Sequence, residues 1–577
     1  MPAERAPRQL RLGVALLLGL LAVAGAWNHE LWAYDEPREV ELARAMYRSG
    51  NWAVMELGGL PFLDKPPLFC QSVALAFHLT GPSLLVARLV TAAWALATLA
   101  LTAWFARRAL GARTGLLAAL VLATSYRFYG LSREVLLDNA LATFTTAAIA
   151  LAAVASRERS RRLAALGALA LAGAFLTKGI VGVGIVGLVL LIDLALRRDV
   201  RGLAVLLHPL SFAAFLGPIA VYLGALAIAA GPEARSFLFE LFWSNQFGRF
   251  LGTHGQKASE WYLYIETWPE MLAFWVPFAA LAVVHAARIS WKVGGAEPPN
   301  KDAWHRFALV WAIAPLVVLS FSKGRARAYA LPVLPGYAIL VALWWRDLGE
   351  VPRWARLATV AIVAALAAAL AGAVVAISVL AADRLDALEV GGAVLALAAA
   401  ALWIRRREDA SFPASEAGAL SLGCVILAAF LVYSGRFMAA RHDLDRGYST
   451  IAAEVAREAR GRELALYHLS NSWSGAFGFT CDRTAPEYDQ GYDERGQKLL
   501  ADLKPGDREL VLTQLGTLGA MDRAARSELA VVWTGTRADD VRAPHKMFVL
   551  LERRRAGDPP RDPMDGLPSM APLTSGQ

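Results

Sequence analysis

Acidic and basic side chains crowd into "LWAYDEPREVELARAMYRSGNWAVMELGGLPFLDKPPL", residues 31–68. Asp35, Glu36, Arg38, Glu39, Glu41, Arg44, Arg48, Asp64 and Lys65 all follow directly on the apolar run "LGVALLLGLLAVAGAW". Carboxylates in such a place can take or orient a proton, and a cation can hold an anion such as a phosphate. Each also has a plainer reading. Asp35, just before Glu36-Pro37, fits a helix N-cap; Lys65 fits an interfacial lysine that snorkels. The two prolines after Lys65 keep "FLDKPP" extended. The stretch "DEPREVELARAMYRSGN" predicts a helix with an acid and a Pro at its start and Gly50 as its stop. Val40, Ala43 and Tyr47 share one face, so an amphipathic helix lying along a membrane surface is expected.

Polar residues recur downstream between apolar segments. In "SREVLLDNALATF", Asp138 follows Arg133 and Glu134 by about one helical turn and sits at the mouth of an apolar run. Ionisable residues at such a depth are costly and often functional; an Arg133–Asp138 or Arg133–Glu134 pair closing a helix end is the alternative. Next come Lys178 in "LTKG", Asn245, Arg249 and His254 in "ELFWSNQFGRFLGTHGQKASEWYLY", and Lys323, Arg325, Arg327 and Tyr329 in "SFSKGRARAYALPVLPGYAIL". Together they offer cations and hydrogen-bond donors facing a few carboxylates. That pattern suits an anionic, hydroxyl-rich ligand presented from a membrane, such as a lipid-linked phosphosugar. His254 alone reads as structural, and two carboxylates alone do not establish a metal site. No cofactor is implied, and a divalent metal stays open.

The elements that must position these residues are mostly apolar helices. Of 577 residues, 56% are hydrophobic and 19% charged, against roughly a quarter charged in soluble domains; the mean hydropathy is +0.42. Windows of roughly 18 or more nearly uncharged residues mark transmembrane helices. The chain reads as an all-α polytopic membrane protein with about thirteen spans, near 11–27, 83–106, 114–131, 136–155, 162–177, 179–196, 203–229, 268–287, 306–321, 327–345, 354–381, 388–404 and 416–435. The first run lacks a small-residue cleavage site and reads as a retained helix.

The net charge of +9 sits in short clusters between apolar runs, which sets membrane orientation and argues against nucleic acid as a partner. With Arg5, Arg8 and Arg11 cytoplasmic, every second loop is basic: "ARRALGAR", "SRERSRR", "LRRDVRG", the stretch around Lys292, "WWRDLGEVPRWAR" and "IRRRED". The first outer loop is then 28–82, and residues 1–435 form the membrane domain. From 436 to 555, "ELALYHLS", "RELVLTQL" and "LAVVWTG" read as strands alternating with helices such as "YSTIAAEVAREARG", giving a soluble α/β domain on the outer face. The segment 556–577 reads as a disordered tail. Three cysteines are too few for a disulfide framework; whether Cys70 and Cys481 pair is left open.

These pieces, in this order, resemble the GT-C class of membrane glycosyltransferases, within the dolichyl-phosphate-mannose–protein mannosyltransferase family (glycosyltransferase family 39), and in particular its bacterial aminoarabinose transferase group. "YDEPREVELARAMYRSGNWAVMELGGLPFLDKPPL", "SREVLLDNALATF", "LTKG", "FWSNQFGRF" and "SFSKGRARAYALPVLP" carry the likeness, over about residues 30–345. The resemblance implies a GT-C fold, a polyprenyl-phosphate-linked sugar donor, and an acceptor that is a lipid A-type glycolipid or a protein. It implies an enzyme of a bacterial inner membrane, with a cytoplasmic N-terminus and a periplasmic C-terminal domain. It makes Asp35 the catalytic acidic residue and Asp138 the second acid working with it. Lys65, Arg249, Tyr329 and Lys178 become donor-phosphate contacts. Glu36, Arg38, Asp64, Arg133, Asn245 and His254 complete the cavity. The chain departs from the group at Glu39, where its members usually carry Tyr. A transporter or lipid flippase with Asp35 and Asp138 as coupling sites is the alternative; charges gathered at one membrane face and the lack of an internal repeat speak against it. A membrane scaffold leaves the ordered loop charges unexplained.

Overall fold

The computed structural model describes residues 34–248, 260–292, 301–322, 325–380, 447–485, 509–537, 543–555 and 561–567, with isolated positions between them. The expected spans near 11–27 and 388–404, most of that near 416–435, and Arg249, His254 and Lys323 lie outside the described residues. In chain order come α1 (Glu36–Ser49), the hairpin β1 (Met55–Leu57) and β2 (Leu60–Phe62), α2 (Leu68–Thr80), α3 (Leu84–Leu110), α4 (Ala112–Ala123) and α5 (Tyr126–Leu131). Then follow α6 (Asp138–Glu158), α7 (Arg161–Lys178), α8 (Ile180–Leu196), α9 (Val200–Leu206), α10 (Pro209–Ala230), α11 (Val276–Lys292), α12 (Lys301–Phe321), α13 (Leu334–Arg346) and α14 (Arg353–Leu380). The last part holds α15 (Tyr448–Glu458), β3 (Glu463–Leu466), α16 (Asn471–Cys481), β4 (Glu509–Gln514), β5 (Leu529–Gly535) and β6 (Phe548–Arg553). Contacts divide the chain into two compact units. One comprises Met1–Ala26, Leu63–Phe69 and Arg88–Arg436; the other comprises Trp27–Phe62, Cys70–Ala87 and Phe437–Gln577.

The first unit is helical. Among the described residues, 7 helices are long and apolar enough to cross a membrane. Their core is aromatic, with Trp275, Trp311, Phe278, Phe307 and Phe105 fully buried. Buried indole N–H groups need acceptors: Trp275 donates to Thr124 Oγ1 at 2.9 Å and Trp311 to the Pro332 carbonyl at 3.0 Å. The stretch expected as one span over 114–131 breaks in two. Thr124 and Ser125 turn their hydroxyls back onto the Leu120 and Val121 carbonyls, and the helix stops there. The expected span 203–229 likewise begins only at Pro209, whose fixed φ suits the first turn of a helix; the His208 side chain caps it by accepting from Leu210 N.

Three consecutive helices fix the mouth of the bundle. α6 ends at Arg159, which takes a left-handed conformation (φ 57°), and Ser160 then caps α7 by accepting from Leu163 N at 3.3 Å. With so short a turn the two helices run antiparallel and pack along each other. The last residue of α7 therefore returns beside the first residue of α6. α8 starts one residue later, across Gly179 at φ 67°, ψ −140°. That backbone region is essentially reserved for glycine, so the tight hairpin expected at "LTKGIVG" depends on it.

In the second unit a four-stranded sheet runs in the order β3-β4-β6-β5. β3 and β4 are parallel and the other pairs antiparallel, with α16 in the crossover between β3 and β4. Tyr467, Leu499, Leu515, Leu518, Leu529 and Leu551 fill one face of the sheet. Residues 561–567 contain a 3₁₀ turn in which Arg526 pairs with Asp562 at 2.9 Å, and Met564 and Leu567 pack on that core.

α1 differs from the surface helix its sequence suggests. Glu36, Arg38, Glu39, Glu41 and Arg44 are all buried, because α1 is covered by α16. Its charges are accommodated by pairing with one another and with Asp482. Gly475 makes the approach possible: a Cβ there would run into the backbone of Pro37 and Arg38.

Candidate active site

In the first unit, Asp138 is the first residue of α6 and Lys178 the last of α7. The antiparallel pairing brings them together: Lys178 Nζ donates to Asp138 Oδ1 at 2.5 Å, both residues being 6% exposed. The ammonium also lies 4.2 Å from the centre of the Tyr329 ring, within cation–π range. Among the described residues Asp138 is thus paired with Lys178 and not with Arg133. Arg133 instead stacks on Tyr129, 3.5 Å above its ring, and donates to the Tyr129 carbonyl and to Ser132 Oγ. Burial pulls its pKa down to about 10, against the opposing pull of Tyr129 and Glu134. Lys65 and Asp64 are a loose pair at 3.8 Å, mostly buried. Asn245 holds the segment ahead of them by donating to the Leu63 carbonyl at 3.0 Å.

The arginine-rich stretch before Tyr329 is largely structural. Arg325 donates to the Ser320 and Ser322 carbonyls at 2.7 and 2.6 Å, closing the end of α12. Arg327 and Arg127 both bind Glu270, at 3.2 and 2.9 Å. Arg127 and Glu270 were not singled out in the sequence. They lie 143 residues apart, and no local pattern marks them as partners.

In the second unit, Asp35 occupies the N-cap position of α1, yet its side chain makes no capping hydrogen bond. It pairs with Arg38 at 2.8 Å and remains 43% exposed at the side chain. Arg38 also grips Glu39 at 2.8 Å, and Glu36 is fully buried. Cys70 Sγ lies 3.7 Å from Glu39 Oε2; Cys70 and Cys481 are both free thiols. One turn along α1, Arg44 binds Glu41 at 2.6 Å and Asp482 at 2.7 Å, and Arg48 joins Asp482. A cavity of about 320 Å³ opens here, walled by Glu41, Arg44, Arg48, Glu56 and Arg483. Burial raises the Glu41 pKa despite Arg44. Asp482, near the surface, is held below the usual carboxylate range by its bonds to Arg48 and Arg44. Asp482 and Arg483 were not anticipated, because nothing in the sequence tells that α16 packs on α1.

The family model described as dolichyl-phosphate-mannose-protein mannosyltransferase matches residues 11–230. The undecaprenyl phosphate-α-4-amino-4-deoxy-L-arabinose arabinosyl transferase of Pectobacterium atrosepticum is 28% identical over 348 residues, 58% of this chain and 58% of that protein. Its counterpart from Pectobacterium carotovorum is 30% identical over 354 residues, with the same shares. The chain thus spans 58% of the length of these curated relatives. Among solved structures, ArnT from Cupriavidus metallidurans bound to undecaprenyl phosphate superposes with a TM-score of 0.69 at 19% identity, covering 94% of this chain and 97% of that one. The Archaeoglobus fulgidus oligosaccharyltransferase superposes with a TM-score of 0.50 at 12% identity, covering 92% and 74%. The fold is that of the GT-C membrane glycosyltransferases. Within that class, sequence and fold together liken the chain to the aminoarabinose transferases.

Proposed function

We propose that this chain is a multi-pass glycosyltransferase of a bacterial inner membrane. It moves a sugar from a polyprenyl-phosphate donor to an acceptor on the outer face, either a lipid A-type glycolipid or a protein hydroxyl. The observation that carries the reading is the buried Asp138–Lys178 pair beside Tyr329: a carboxylate fixed at the mouth of a membrane helix, in a fold shared with ArnT. Residues 436–555 act as an outer domain, with the N-terminus cytoplasmic.

The acceptor oxygen attacks the anomeric carbon from the face opposite the phosphate, so the reaction inverts. The bond from that carbon to the phosphate oxygen breaks, and the lipid phosphate leaves with the electron pair. When the acceptor is a hydroxyl, Asp35 takes its proton or orients it, with Asp138 as the second acid. An ionised phosphate acceptor has no such proton to lose, and the acids then only position it. Lys65 and Arg249 stabilise charge on the leaving phosphate, each worth roughly 2–4 kcal/mol; Tyr329 and Lys178 line the donor side. Arg38, bound to Asp35 at 2.8 Å, sets the direction of that carboxylate.

The test is donor turnover. Polyprenyl-phosphate sugars are extracted from membranes of cells expressing wild type or Asp35→Asn at matched levels and followed by mass spectrometry. One glycolipid should be consumed by wild type and accumulate in the variant, with turnover reduced on the order of 10²-fold or more. No change in any glycolipid, with both proteins folded and donors present, would overturn the proposal and make a transport assay the next step.

A further inference from the structure

His285 lies in α11, His305 near the start of α12, and Asp347 directly after α13. No sequence motif joins them, yet they converge. His305 Nε2 is 2.7 Å from Asp347 Oδ2, and His285 Nε2 is 3.7 Å from the same oxygen. The three ligand atoms all lie within 4.8 Å of one another. His305 and Asp347 are buried, at 1% and 5% exposure. His285 Nε2 is shut off from solvent and has no hydrogen-bond partner among the described residues, which is costly for a buried polar atom. The His285 ring is held in place by Trp344 and His305, edge-on at 5.6 and 5.7 Å. Arg346 forks onto the same carboxylate, Nε donating to Oδ1 at 2.7 Å and Nη2 to Oδ2 at 3.2 Å, so Oδ2 faces both the guanidinium and the imidazoles.

The cluster sits far from Asp138. Trp304, the neighbour of His305, lies under the guanidinium of Arg157 at 4.1 Å. Arg157 is in the last turn of α6, whose first residue is Asp138. At about 1.5 Å per residue, these ends are separated by roughly 28 Å, close to the thickness of a bilayer core.

We propose that His285, His305 and Asp347 form a binding site for one divalent cation of the zinc class, at the end of the bundle opposite Asp138 and Lys178, and that the ion ties α11, α12 and α13 together. Two imidazoles and one carboxylate are the borderline donors that zinc takes, with a fourth position left for water. An all-oxygen set would favour calcium or magnesium, and this is not one. The donor spacings bracket the roughly 3.3 Å expected on a tetrahedral ion with bonds of about 2.0–2.1 Å. Occupancy requires side-chain shifts on the order of 1 Å. The inference is independent of the sugar-transfer reading.

The test uses the full chain in detergent, purified through a tag without histidines. Bound metal is measured by mass spectrometry. The protein is then stripped with a chelator and titrated with Zn²⁺, and with Co²⁺ followed by its visible absorption. Wild type should carry one more equivalent of zinc than His285→Ala, and the variant should bind Co²⁺ at this site at least ~10-fold more weakly. Should the alanine variant fail to give a monodisperse peak, His285→Gln keeps the volume and the His305–Asp347 hydrogen bond and serves instead. Equal metal content and equal cobalt spectra in wild type and variant would overturn the proposal, as would a wild type that binds no metal. Either result would reduce the cluster to a hydrogen-bonded tie between helices.

Discussion

Asp138 and Lys178 are 40 residues apart in the chain and 2.5 Å apart in the fold. Both are buried, so each charge depends on the other; removing one partner of such a pair costs about 3–5 kcal/mol, whereas removing both is often close to neutral. Asp138→Asn and Lys178→Met should therefore each destabilise strongly, while the double variant should recover most of the loss without recovering turnover. Thermal unfolding in detergent beside the donor-consumption assay checks this; additive losses would show that the two side chains do not depend on each other. Asp138 was legible as a residue of interest because an acid at the start of an apolar run is costly. Lys178 was also marked, as a cavity lysine, but its pairing with Asp138 was not legible, since that depends on where α7 ends relative to α6. The same holds for His285, His305 and Asp347, which share no element and no spacing. Asp35 shows the opposite limit: its sequence context fits an N-cap, but its carboxylate turns to Arg38.

At the scale of elements, α1 and α16 carry the largest departure from the sequence reading. The period of α1 in the sequence is helical, and the helix forms, but its polar face is covered rather than solvated. Periodicity reports which residues share a face, not what covers that face, and the cover comes from a helix more than 400 residues later. Gly475 should be the sensitive point. Gly475→Ala puts a methyl against the Pro37–Arg38 backbone, where overpacking costs about 1–3 kcal/mol. Gly184→Ala in α8 meets nothing within 4 Å and should be neutral or stabilising by up to about 1 kcal/mol. Melting curves of the two variants test the contrast. Asp482, at the end of α16, provides a pH test of the same contact. Its pKa is depressed by Arg48 and Arg44, so its stabilisation is present above the unfolded value of 3.8 and is lost as pH falls through the lower folded value. The carboxylate is exposed, so the effect is below about 1 kcal/mol. Asp482→Asn, which tolerates the left-handed φ of 53°, should lower the melting point at pH 7. That difference should close as the pH falls through the depressed folded value of Asp482; a constant difference would show that the charge is not the cause.

The whole molecule makes its orientation testable. α6 has 21 residues, about 30 Å at 1.5 Å per residue, which matches a bilayer core. Its two ends differ in kind. At one end Asp138 and Lys178 are buried as a pair. At the other, Arg108 binds Glu158, Arg157 and Arg197 bind Asp193, and Arg159 binds Asp199. The acids there neutralise only part of the positive charge, since Arg161 and Arg162 in the first turn of α7 and Arg198 after α8 lie at the same end. By the rule that cytoplasmic loops carry the excess of Lys and Arg, this second end is expected to face the cytoplasm and Asp138 the outside. In a background with Cys70, Cys424 and Cys481 changed to Ser, single cysteines at Arg162 and at Glu233, just past the far end of α10 from the basic loops, report the two sides. Both positions are exposed. A membrane-impermeant maleimide should label Glu233→Cys in intact spheroplasts and Arg162→Cys only after permeabilisation. The reverse pattern would place Asp138 on the cytoplasmic side. It would then rule out an acceptor on the outer face, because Asp138, fixed at the first residue of α6, could not reach across the bilayer.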